Sequence, residues 1–539
     1  MRTTCAAAAA LFFTAPAFAV STGVVQTGSG PIQGVIAGSV AEFLGVPYAA
    51  PPVGALRWVP PTAPQSWTTT RQTVTFGNFC PQGLSQLSNG GGDEDCLYLN
   101  VYAPASAQAG SNLPVMFWMH GGGLTTGSGQ EYDASALVNA GNVIIVTINY
   151  RLGVLGFLAH PALAAEDKKH HSSGNYGTLD QQYALAWTHA NIAAFGGNPK
   201  NITIFGESAG GQSVITQLIS PLAAKFHAAI IESGAYARTY PTQSVAQTDG
   251  SAFATSLGCS SATDATCLRA LSADALVAAQ DGTQGASLPI APNVDSWVLT
   301  AQPFQAIAAG KFQHVPIIDG TNHDEYRLFV SEQDLMNALG GHPGGYTVAE
   351  YEAFVEASAG NFAPQVLAEY PVSDYASPNY ALAAVGTDYG FSCGALLLDA
   401  LLANYTTVYA YEFNDIDPPN IFLPPDPFMT IADSHAIELP YLWPAYRNET
   451  LNLGPAVFTP LQKDLSAGMQ AAWTSFARYG RPLNPRGGAW NRYSVAQHAF
   501  TSLIAPSQQT NTIFYNDHQC GFWGPFLLSE AGLPANTQY

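Results

Sequence analysis

Short apolar runs, each closed by a Gly or a polar turn and followed by a helical stretch, recur along most of this chain. The runs are Val115–Met119, Val143–Asn149, Ile202–Phe205, Ala228–Glu232, Val315–Asp319 and Thr407–Phe413. They are near-continuous and rich in β-branched and aromatic residues, which fits strands buried on both faces of a mostly parallel sheet. Between two of them, Leu179, Tyr183, Ala186, Trp187, Ala190 and Ala194 recur at helical spacing. This predicts a helix over Leu179–Phe195, stopped by Gly196-Gly197-Asn198-Pro199. Before the first long run the pattern differs. From Gly23 to about Pro61, short apolar pairs alternate with Gly and Pro, predicting small antiparallel hairpins. Strand–helix alternation with these hairpins in front predicts an α/β protein with right-handed crossovers. There is no internal repeat and no clear linker, so residues 20–539 are expected to form a single domain with large insertions.

Composition narrows the function classes. Eighteen Lys+Arg stand against 38 Asp+Glu in 539 residues, a net charge of −20. A polyanion of that size repels nucleic acid and anionic membranes. After the N-terminus no run of about 20 apolar residues appears, so no membrane-spanning helix is expected. Residues 1–19 read as a cleaved signal peptide. Arg2 is its positive end, Ala6 to Ala15 its apolar stretch and Ala17-Phe18-Ala19 its cleavage site. Export places the chain outside the cell or in a periplasm. Cleavage removes Cys5 and leaves Cys80, Cys96, Cys259, Cys267, Cys393 and Cys520. An even number in an exported chain suggests disulfides, although spacing leaves fifteen pairings open. No C-x-x-C spacing is present, and His170-His171 sit in a polar stretch with nothing to complete a site, so no metal is expected. No P-loop or dinucleotide fingerprint calls for a cofactor.

The candidate chemistry lies at Ile202-Thr203-Ile204-Phe205-Gly206-Glu207-Ser208-Ala209-Gly210-Gly211. This is an apolar strand, a G-x-S-x-G turn and a helix, the arrangement that lifts a serine hydroxyl above a sheet at a helix N-terminus. A serine needs a base and an oxyanion site to act as a nucleophile. Trp118-Met119-His120-Gly121-Gly122-Gly123 follows another apolar strand, and its glycines leave backbone N–H groups uncovered.

In these motifs the sequence resembles the type-B carboxylesterases of the α/β-hydrolase fold, the group that includes cholinesterases and some fungal lipases. The resemblance rests on Phe43–Gly54, Glu94–Asn100, Gly121–Gly123, Asn149–Gly153, Phe195–Pro199 and the Gly206–Gly211 elbow, and spans nearly all of residues 20–539. It implies a secreted serine hydrolase acting on a small-molecule ester, with Ser208 as nucleophile, Glu325 as acid and His435 as base. Asp324 is the alternative acid. Relatives mostly have Gly where Tyr326 stands, so a different local turn is expected there. The resemblance also implies an oxyanion hole of the Gly122, Gly123 and Ala209 N–H groups, with Glu207 and Glu438 close to His435 in support. It implies disulfides Cys80–Cys96, Cys259–Cys267 and Cys393–Cys520, and an ion pair between Glu94 and Arg151, joined by Arg57. The Cys80–Cys96 loop has neither the length of a lipase lid nor the Trp of a cholinesterase, which weakens both readings. A lipase, a hydrolase of aromatic esters or carbamates, and a non-catalytic binding relative remain as alternatives.

Overall fold

The computed structural model describes residues 20–539 except 86–87, 283–286, 343, 416, 447–449, 452, 484–489 and 506–507. The signal-peptide reading of residues 1–19 lies outside the described residues. A twelve-stranded sheet runs through the molecule. In chain order its strands are β1 (Val20–Ser21), β2 (Val35–Ala37), β3 (Val40–Pro47), β4 (Tyr98–Pro104), β5 (Leu113–Met119), β6 (Ile144–Ile148), β7 (Gly197–Glu207), β8 (Ala228–Glu232), β9 (Ile317–Asn322), β10 (Val408–Phe413), β11 (Phe500–Leu503) and β12 (Gln509–Asn511). Across the sheet they lie in the order β1-β2-β3-β4-β6-β5-β7-β8-β9-β10-β11-β12. Strands β5 to β11 pair in parallel, and β1 to β4 add the expected antiparallel edge. All six apolar runs are strands of this sheet. The strands β1, β4, β11 and β12 were not predicted from the sequence.

Both faces of the parallel strands are covered, as their continuous hydrophobicity requires. Along β5 the residues alternate: Val115, Phe117 and Met119 enter one apolar core, Met116 and Trp118 the other. The first core is shared with α1 (Tyr176–Asn191), α2 (Ala209–Ile219) and α3 (Cys393–Ala403), the second with α4 (Pro460–Tyr479). Helix α1 begins three residues before the predicted Leu179, and a single 3-10 turn, Ile192–Phe195, finishes the predicted segment. One helical stretch, Pro378–Ala403, is long and apolar enough by length and composition to cross a membrane, and most of it is buried inside the molecule. The sequence reading missed it because Asp388 and Asp399 interrupt the apolar run.

The expected Glu94–Arg151 ion pair is not formed. Arg57 takes Glu94 in a two-pronged contact, Nε to Oε1 at 2.6 Å and a terminal nitrogen to Oε2 at 2.5 Å. Arg151 turns instead to Asp180 on α1, with Nε to Oδ2 at 2.7 Å and a second contact at 2.8 Å. The Arg151 backbone N–H adds a third bond to the same carboxylate, at 3.0 Å. Both charges are buried, so an acid reached only through the start of α1 supplies the partner. The structure pairs Cys80 with Cys96, Cys259 with Cys267, and Cys393 with Cys520. The Cys80–Cys96 loop folds into a hairpin, Gln82–Ser85 against Ser88–Gly91. Gln82 anchors it through Gly127, accepting from its N–H and donating to its carbonyl.

Candidate active site

Ser208 sits between β7 and α2 with φ 55° and ψ −122°, a strained conformation for a residue with a side chain. The turn is this tight because the chain crosses the end of β5: a Cβ on Gly210 would lie 2.0 Å from the Met119 carbonyl oxygen. Glycine is the residue that fits. The Ser208 N–H donates to the Glu232 carbonyl at 2.8 Å, tying the elbow to β8. Ser208 opens onto a cavity of about 550 Å³ that it shares with Gly122, Gly123, Glu207 and His435.

Gly122 has φ 93°, and a Cβ there would meet the Thr126 carbonyl oxygen at 2.4 Å. Its own carbonyl is held by the N–H groups of Thr125 and Thr126, both at 2.9 Å. The N–H groups of Gly122, Gly123 and Ala209 make no hydrogen bond to any described residue. Ala209 is the first residue of α2, where an N–H has no partner within the helix. Gly122 and Gly123 line the cavity with Ser208, and Ala209 follows the serine directly in the chain. His120, just after the strand leading to the glycines, is buried, stacks on Tyr150 and has its imidazole lowered to about 4 by burial, so it is neutral.

His435 Nδ1 meets Glu325 Oε2 at 2.6 Å. Glu325 Oε1 accepts from the Thr321 hydroxyl at 2.7 Å and the Asn322 N–H at 2.8 Å. Asn322 also donates to the Ser434 carbonyl and, at 2.5 Å, to Glu438 Oε2, so one side chain joins the loop of Glu325 to the loop of His435. The His435 N–H closes the same seam on the Glu325 carbonyl. Asp324 points elsewhere, to Arg327 at 2.9 Å. Tyr326 adopts an ordinary right-handed helical conformation before the helix Arg327–Leu339, so no glycine is required at that turn.

His435 Nε2 has no hydrogen-bond partner and lies 3.2 Å from Glu207 Oε1. Four carboxyl groups, Glu207, Glu232, Glu325 and Glu438, gather around this ring, all of them buried. They cannot all ionise in so little water. Burial, and then the Glu438, Glu325 and Glu232 charges, push Glu207 well above the usual carboxylate range, against the pull of His435. Burial and Glu438 raise Glu232 to about 8, although Trp473 Nε1 donates to it at 2.8 Å. Burial, opposed by the Asn322 bond, lifts Glu438 to about 7. Glu325 goes the other way. Burial would raise it, but His435 and the bonds from His435, Ser233 and Asn322 hold it below its ordinary value, so it keeps its charge. Burial disfavours a charged His435, yet Glu207, Glu325 and Glu438 outweigh it and raise the imidazole to about 9. The same surroundings thus favour a neutral Glu207 and a charged His435.

Two neighbours were not singled out in the sequence. Glu232 ends a strand run, and a carboxylate at the carboxyl end of a buried strand was the available signal. Tyr236 lies against the Ser208 hydroxyl and donates to Gln212 Oε1 at 2.8 Å, with no motif to mark it. Much of the remaining wall is aromatic, with Tyr132, Tyr326, Phe329, Phe391, Phe422 and Tyr446, and two acids, Glu131 and Glu332, also line it.

A doubly covered parallel sheet, with a strained serine at the carboxyl end of a central strand, defines an α/β-hydrolase. Residues 21–523 match the profile of the carboxylesterase family, and the chain belongs to that family. It is 36 % identical over 488 residues to the fumonisin B1 esterase of Sphingopyxis macrogoltabida, covering 87 % of this chain and 84 % of that one. It is 35 % identical over 502 residues to the para-nitrobenzyl esterase of Bacillus subtilis, covering 90 % and 95 %. Among solved structures, a thermophilic para-nitrobenzyl esterase superposes with a TM-score of 0.78 at 32 % identity, covering 92 % of this chain and 99 % of that one.

Proposed function

We propose that this carboxylesterase is an exported enzyme that cleaves small carboxylic esters through an acyl-enzyme, using Ser208, His435 and Glu325. The observation that carries the reading is His435: Nδ1 bound at 2.6 Å to a buried, ionised Glu325, Nε2 3.2 Å from Glu207 Oε1, and the ring on the wall of the cavity it shares with Ser208. His435 takes the Ser208 proton as the hydroxyl attacks the ester carbonyl. Glu325 stabilises the imidazolium that forms. The free N–H groups of Gly122, Gly123 and Ala209 receive the charge that develops on the carbonyl oxygen. His435 returns its proton to the leaving alcohol, then activates the water that releases the acid. Glu207 and Glu438 set the basicity of the ring. The cavity volume and its aromatic wall favour short acyl or aryl esters over a triglyceride. Export is supported by residues 1–19 and the three disulfides.

Ser208→Ala and His435→Gln should each lower kcat on p-nitrophenyl acetate by several orders of magnitude while leaving thermal unfolding nearly unchanged. A Ser208→Ala enzyme with near-native turnover would overturn the assignment. A burst of p-nitrophenol equal to one equivalent of enzyme would support the acyl-enzyme. A series of acyl lengths, read as kcat/KM, separates an esterase from a lipase.

A further inference from the structure

Beside the loop that carries Glu325, and lining a different cavity from Ser208, lies a second cluster of side chains able to bind a cation. His323, Glu412 and His518 come from the end of β9, from β10 and from the turn before the C-terminal helix Cys520–Glu530. One ligand atom from each lies within 4.8 Å of the other two. Glu412 and His518 are buried, His323 is about one-third exposed, and an open cavity of about 630 Å³ reaches both His323 and Glu412. Ions can therefore reach the cluster from solvent.

We propose that His323, Glu412 and His518 form a binding site for one divalent transition-metal ion of the zinc class. Two imidazoles and a carboxylate are the donors such an ion prefers over calcium or magnesium, which take oxygen. The surroundings have the form that ligating side chains need. His518 Nδ1 is held by Asp388 at 2.7 Å, which aims Nε2 at Glu412 Oε1, also 2.7 Å away. Glu412 Oε2 accepts from Asn511 Nδ2 at 2.5 Å. The ring of His323 has a carboxylate on each side, Asp324 at 3.5 Å from Nδ1 and Asp517 at 3.3 Å from Nε2. Whichever nitrogen takes the ion, the other keeps an acceptor. With bonds of about 2.0–2.1 Å, two ligand atoms of a tetrahedral zinc stand about 3.3 Å apart. The His518–Glu412 contact must then open by only about 0.6 Å, and His323 must close from within its present range. Asp517 or a water completes the fourth position. A bound ion would join β9, β10 and the C-terminal helix, and would fix the chain two residues before Glu325.

The competing account is a set of structural ion pairs that binds nothing. Untagged full-length protein, stripped with a chelator, should bind one zinc per chain in calorimetry, with calcium and magnesium giving no saturable signal. Zinc should also raise Tm, and cobalt(II) should give the intense visible bands of a tetrahedral site. His323→Ala, at a position exposed enough to preserve the fold, should weaken zinc at least about tenfold, as should Asp388→Asn, which removes only the orienting carboxylate. Far-UV circular dichroism checks that both variants are folded. Absence of saturable zinc binding up to millimolar concentrations would overturn the proposal. So would binding that neither variant weakens, since the ion would then sit on other histidines.

Discussion

At the scale of single residues, the acids around His435 decide when it can act. In the proposed mechanism only the neutral imidazole can take the Ser208 proton, and each nearby negative charge favours the imidazolium. Glu438 ionises near neutrality, with its carboxyl raised to about 7, and is among the groups that lift His435 to about 9. Glu438→Gln removes that charge. His435 then loses its proton at lower pH, and the acidic limb of the kcat/KM profile should move to lower pH by up to about one unit. An unmoved limb would show that Glu438 is not coupled to the base. Glu232 yields a stability effect instead. Its carboxyl is raised from an ordinary 4.5 to about 8, so the folded state holds the proton more tightly than the unfolded chain. The stability it contributes is complete below about 4.5 and is lost as pH rises toward 8, a change of a few kcal/mol at most. Glu232→Gln stays neutral and can still accept from Trp473. Its Tm relative to wild type should therefore increase between pH 5 and 8. A constant difference across that range would refute the shift. The strained turn at Ser208 was legible in the sequence because it needs a local G-x-S-x-G pattern. Tyr236 and Glu232 were not, because they reach the serine and the acid cluster only by folding.

At the scale of elements, buried ion pairs differ in weight. Arg151 and Asp180 are 3 % and 0 % exposed at the side chain, against 8 % and 15 % for Arg57 and Glu94. Removing one partner of a fully buried pair leaves an uncompensated charge and costs about 3–5 kcal/mol. Water can reach part of the second pair and reduce its loss. Chemical denaturation should therefore show Asp180→Ala to be markedly more destabilising than Glu94→Ala, and equal losses would contradict this ranking. The turn between β7 and α2 is just as constrained. Gly210→Ala places a methyl 2.0 Å from the Met119 carbonyl, so the helix must lift from β5. Poor folded yield, or a Tm well below wild type with esterase activity lost, is the expected result. The elements themselves followed from apolar runs, since a strand buried on both faces has to be hydrophobic throughout. Strands β11 and β12 escaped notice because they are short and carry polar residues, β12 forming the sheet edge where such residues are tolerated.

For the whole molecule, covalent links add to what the two cores supply. Cys393–Cys520 spans 127 residues of sequence, Cys259–Cys267 only 8. If disulfides act by limiting the unfolded chain, their contributions scale with loop length, at roughly 5 and 2.5 kcal/mol. Replacing Cys393 and Cys520 together by serine should lower Tm more than the same change at Cys259 and Cys267, and the reverse order would show that native strain or unfolded-state structure dominates. The acidic balance of the chain, −20 overall, should also keep anionic partners away, as expected from composition.

What the sequence determined by itself was whatever is encoded over a few neighbouring residues. Continuous apolar runs dictated a doubly covered parallel sheet, and the glycines at 121–123, 206 and 210 dictated bare backbone around a strained serine. Family resemblance then pointed to Glu325 and His435. The tertiary structure decided the long-range pairings. Arg151 found Asp180 rather than Glu94, because burial selects the acid that packs against the guanidinium and not one that shares a motif. Four glutamates separated by as many as 231 positions, from Glu207 to Glu438, met around one imidazole. His323, Glu412 and His518 converged likewise. Carboxylate strength and ligand geometry depend on distance and burial, and those are set only when the sheet brings distant strand ends together.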